Sequence, residues 1–83
     1  MTTREQLEQQ ILTHIARVAG RDLAAIDRGQ HLMADLGIDS PKALELLMDL
    51  EESLAIEIPD DDAARFDRVG DLADYVIARA AAG

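Results

Sequence analysis

Few residues in this chain can do chemistry, and serine comes first. Ser40 and Ser53 are its only serines, and it has no cysteine. It therefore has no thiol nucleophile, disulfide or thiolate metal site of its own. Ser53 lies mid-helix among charges and reads as solvent-facing. Ser40 stands where a helix begins, inside Leu36-Gly37-Ile38-Asp39-Ser40-Pro41. A phosphoryl group esterified there would meet unpaired backbone N–H groups and the positive end of the helix dipole. An ordinary capping serine would occupy the same position. A catalytic triad is not signalled: Gly-x-Ser-x-Gly is absent, and nothing marks His14, on the polar side of a helix, or His31, in a loop, as a partner base. The run Asp60-Asp61-Asp62 lacks the spacing and glycine of an EF-hand, so no dedicated metal site is expected. These residues give no catalytic set, and the chain is read as a non-enzyme.

The elements that must position Ser40 are helical. Thr3 and Gln6 have capping-box spacing, Leu7, Ile11, Leu12, Ile15 and Val18 recur at helical intervals, and Gly20 suits a left-handed stop. No period persists from Arg21 to Ala34; Leu23, Ile26, Leu32 and Met33 read as anchors pinning this long loop to a core. Asp39 or Ser40 can cap the next helix, with Pro41 at its first helical position. On that helix Ala43, Leu46, Leu47, Leu50 and Leu54 form a core stripe, while Leu44 and Met48 fall on a flank shared with Glu45, Glu51 and Glu52. Periodicity supports equally a docking surface at Leu44 and Met48 or an edge of the core under a neighbouring helix. A brief turn or two over Asp61–Asp67 and a last helix carrying Val69, Leu72, Tyr75, Val76 and Ile77 complete the chain. The fold class is all-α: a small four-helix bundle of three main helices and a short third one, in a single domain over 1–83.

The 83 residues include 17 acids and 8 bases, a net charge of -9. Ten of the acids lie between Asp35 and Asp62, opposed only by Lys42; the remaining seven acids and seven bases cancel. The whole net charge thus sits on the middle third, a one-sided field suited to basic partners and hostile to nucleic acid. No apolar run approaches membrane-spanning length and no signal-peptide core is present, so a soluble cytoplasmic monomer is expected.

The ordered segments Asp35-Leu36-Gly37-Ile38-Asp39-Ser40, Glu45-Leu46-Leu47-Met48-Asp49-Leu50-Glu51-Glu52, Glu57-Ile58-Pro59-Asp60 and Asp74-Tyr75-Val76 resemble acyl carrier proteins over nearly the whole chain. The resemblance implies that a phosphopantetheinyl transferase esterifies Ser40 with 4'-phosphopantetheine from coenzyme A. The arm's thiol would hold acyl groups as thioesters. Asp35 and Asp39 would face the transferase. Leu44, Glu45, Met48, Glu51 and Glu52 would dock basic patches of acyl-processing, ketosynthase-type or ligase-type enzymes in fatty-acid, polyketide or specialised lipid synthesis. It also implies that the acyl chain lodges among apolar helix faces of a deformable bundle. Pro41 and Lys42 depart from the family's usual leucine and acid, which points to a specialised carrier; the Met1 start and short tail suggest a free-standing one. The alternatives are an aminoacyl or peptidyl carrier, or an acidic adaptor that is never modified.

Overall fold

The computed structural model describes residues 3–82. Among the described residues there are four α-helices, α1 Arg4–Ala19, α2 Ser40–Leu54, α3 Asp60–Ala63 and α4 Val69–Ala82, and one 3-10 turn at Leu23–Ala25. Each boundary has a local cause. Thr3 and Gln6 close a reciprocal capping box at the start of α1, and Gly20 ends it in the left-handed region at φ 70°. Asp71 accepts hydrogen bonds from the Asp67 and Arg68 N–H groups at 3.3 and 3.0 Å, fixing the entry to α4. α2 ends on Ala55, a non-glycine residue held at φ 54°.

The core is apolar and continuous. Ile11 and Ile15 from α1, Leu46 and Leu50 from α2, and Leu72 and Val76 from α4 meet with almost no exposure. α1 packs against both α2 and α4, and the stripe Ala43, Leu46, Leu47, Leu50 and Leu54 faces this core. Leu44 and Met48 do not edge it: they are 59% and 58% exposed, which settles their two readings in favour of an open flank.

The long loop departs from expectation. Leu23 and Met33 are 40% and 55% exposed and anchor nothing. Leu36 and Ile38 are the buried anchors, supported by half-buried Ile26 and Leu32. Gly37, at φ 68°, makes the turn between the two anchors. The loop is also zipped to the segment before α4, since the Val69 and Gly70 N–H groups donate to the Gln30 and Arg28 carbonyls, and Leu32 N–H to the Asp67 carbonyl. This seam includes an isolated antiparallel bridge between His31 and Arg68, in a chain whose sequence reads as all-α. Outside it, Arg28 clasps Glu8 of α1 and Asp74 of α4 at 2.5 and 2.8 Å, and both carboxylates hold the guanidinium pKa above its usual value.

Candidate functional site

The start of α2 separates two roles that the sequence leaves joined. Asp39 is the cap: its carboxylate accepts the Lys42 N–H at 3.2 Å. Ser40 is the first helical residue, which puts Pro41 second rather than first. Proline is tolerated there because the N–H it lacks would have no partner inside the helix. Since Asp39 supplies the capping oxygen, the Ser40 hydroxyl is spared; among the described residues it makes no hydrogen bond, and Ser40 is exposed. Ser53 is exposed too, but it stands in the last turn of α2 rather than mid-helix as its sequence suggested, at the end that carries free carbonyls and not free N–H groups.

Beside Ser40 opens a cavity of about 370 Å³. Its apolar walls come from Leu32 and Ile38 of the loop, Leu46 and Leu47 of α2, Phe66 after α3 and Leu72 of α4. One wall is lightly built. α3 has four residues and none fully buried, and it is tied to α4 chiefly through Tyr75. That phenol donates to Asp62 at 2.6 Å, its ring meets Phe66 edge-on at 5.0 Å, and Arg79 lies over the ring at 5.6 Å. The hydrogen bond to the Asp62 carboxylate holds the Tyr75 pKa above its ordinary value. Neither the tie nor the cavity's particular walls have a period or motif of their own, because both arise where distant segments meet.

The acids named from sequence fall into two groups. Glu45 and Glu52 are exposed on α2, as are Leu44 and Met48, and Asp39 is exposed at its cap. Asp35 and Glu51 also serve the fold: Asp35 accepts the His31 N–H at 2.7 Å, and half-buried Glu51 accepts the Ile58 N–H at 3.2 Å. Of the ten acids from Asp35 to Asp62, Asp49 alone forms an ion pair among the described residues, with Arg17 at 2.9 Å. Arg65 and Arg68 neutralise none of them in this way.

Residues 9–76 match the family described as the phosphopantetheine attachment site. An acyl carrier protein from Exiguobacterium sp. is 35% identical, over 89% of this chain and 94% of its own. The chain belongs to the acyl carrier protein family. Solved carriers share the fold: one from Thermotoga maritima superposes with a TM-score of 0.74 at 29% identity, covering 92% of this chain and 88% of its own. Another, from Enterococcus faecalis, gives 0.77 at 27% identity, covering 93% and 98%. The carrier's cofactor is accordingly covalent phosphopantetheine, and its role is to carry acyl groups. Among its described residues no helix is long and apolar enough to cross a membrane, and no group of His, Asp or Glu is arranged to hold a metal ion.

Proposed function

We propose that Ser40 is the residue that takes the arm, and that the chain presents acyl groups to partner enzymes without catalysing a step itself. The observation that carries this reading is the spared hydroxyl: Asp39 caps α2, leaving Ser40 exposed and unengaged at the edge of an apolar cavity. Transfer from coenzyme A forms a phosphodiester bond to Ser40 Oγ. It breaks the pyrophosphate, releases adenosine bisphosphate, and passes the serine proton to the transferase. When bound, the arm supplies a terminal thiol that holds acyl groups as thioesters.

The chain's own residues do the rest. The first turn of α2 offers a positive dipole end to the phosphodiester. Leu46, Leu47 and Phe66 offer the carried chain an apolar shelter. Leu44 and Met48 give a partner apolar area to bury, and Asp35, Asp39, Glu45 and Glu52 give its basic groups an orienting field. Glu51 adds charge to that field while its carboxylate serves Ile58. Partners on this reading are a phosphopantetheinyl transferase and enzymes of fatty-acid, polyketide or specialised lipid synthesis. The chain acts as one cytoplasmic, monomeric domain over residues 1–83.

The test is incubation with coenzyme A, magnesium and a broad-specificity transferase. The wild-type chain gains the mass of one arm and a titratable thiol, and Ser40→Ala gains neither. Equal modification of the two proteins would refute the assignment.

A further inference from the structure

Lys42 is the one base among the ten acids between Asp35 and Asp62. It is the third residue of α2, exposed, two places after Ser40. A cation in the first turn stands against the positive end of the helix dipole, and no acid shares that turn. Nothing within the chain offsets this. Asp39 and Glu45, three residues to either side, are within reach of a lysine on a helix. Asp39 turns its carboxylate to the Lys42 backbone N–H instead, and among the described residues the ammonium forms no ion pair with any acid. Most of the other bases are engaged. Arg4, Arg17 and Arg28 pair with carboxylates, and Arg21, Arg68 and Arg79 donate to backbone carbonyls. Only Lys42 and Arg65 have no such partner among the described residues, and of these Lys42 alone lies on α2. A partner drawn by Asp39, Glu45 and Glu52 brings basic groups to this helix. One placed over the first turn meets Lys42 as a like charge, which costs affinity.

We propose that Lys42 is a specificity-determining residue of the docking face. It disfavours partner enzymes whose docking surface is basic throughout, and it fits one that sets a carboxylate over the first turn of α2. This rests on the reading of α2 as the docking face beside Ser40 and deepens it by naming the partner's charge pattern. Attraction and rejection act on one surface: Asp39, Glu45 and Glu52 gather basic partners, and Lys42 sorts among those gathered. The partner's carboxylate gives the ammonium the counter-charge that the chain itself withholds.

The test measures arm transfer to the full-length chain by a broad-specificity transferase whose carrier-docking face is basic. Lys42→Ala should lower KM about threefold and Lys42→Glu about tenfold, with kcat unchanged, since one exposed charge contact is worth about threefold. Both gains should fade as salt is added. Gln10→Glu makes the same change in net charge as Lys42→Ala. Gln10 is exposed and lines a groove with Ser53 and Leu54 at the far end of α2, so this variant should leave KM nearly unchanged. In a second arm the basic residues of the transferase's docking face are changed to glutamate one at a time. One such transferase should reverse the order and prefer the wild-type chain to Lys42→Glu. Equal KM for the wild type and Lys42→Glu, a gain matched by Gln10→Glu, or no altered transferase that prefers Lys42 would each overturn the proposal while leaving Ser40 as the tether. A wild-type chain that gains no arm fails earlier, by mass, and that outcome overturns the tether reading together with this one.

Discussion

At the residue scale the decisive neighbours are Asp39 and Ser40. Asp39 carries the cap and a negative charge, and two substitutions separate these. Asp39→Ala removes the acceptor of the Lys42 N–H and should cost about 1 kcal/mol, read by chemical denaturation. Asp39→Asn keeps a capping oxygen, so stability should change little while kcat/KM for arm transfer falls; unchanged transfer would mean the charge does not steer the transferase. Tyr75 gives a pH prediction. Its folded pKa is raised, so the native state keeps the phenolic proton at pH values where the unfolded chain has lost it. That contribution is whole below the unfolded value of about 10 and is lost as pH climbs through the raised folded value. Alkaline denaturation of the wild-type chain should show this loss, and Tyr75→Phe should lack it.

At the element scale α2 trades stability for a surface. Glu51 and Glu52 stand in its last turn, against the negative end of the dipole, and no basic residue offsets them there. Leu44 and Met48 lie open on the same helix while Leu46 and Leu50 hold the core. Replacing Leu44 and Met48 together by alanine should leave the melting temperature nearly unchanged yet raise KM toward a partner enzyme about tenfold. Leu46→Ala should instead cost about 2–5 kcal/mol of stability. The end of α2 offers a gain: Ala55 pays for its left-handed backbone, and Ala55→Gly should stabilise by about 1 kcal/mol, net of glycine's greater freedom when unfolded. These assignments also show where sequence is legible. Periodicity and capping located α1, α2 and α4 because their causes are local: Thr3 with Gln6, Gly20, and the apolar stripe from Ala43 to Leu54. The loop was misread at Leu23 and Met33 because an aperiodic segment does not disclose which apolar side chains turn inward. The candidate site was legible at Ser40 and on the flank of α2. The cavity and the placement of His31 were not, since they depend on pairing between residues 28–32 and 67–70.

At the scale of the whole molecule, charge governs behaviour. The net charge of -9 is confined to the middle third, and within it Asp49 alone is ion-paired among the described residues. Added salt should therefore raise the melting temperature, by about 4–8 °C for each ~1 kcal/mol of repulsion relieved, and calorimetry across an ionic-strength series would read it. The Arg28 clasp will not dominate this response, because its carboxylate partners lie near the surface and such pairs contribute about 0–1 kcal/mol. On the proposed function the same field would gather basic enzymes toward α2, where the apolar flank and Ser40 lie together. That proposal stands on one ester bond at Ser40, and fragment-ion mass spectrometry of the chain isolated from its own cells reads it directly. The phosphopantetheine mass should lie on the fragment containing Ser40, with Ser53 bare; a chain unmodified at Ser40, or modified elsewhere, would contradict it.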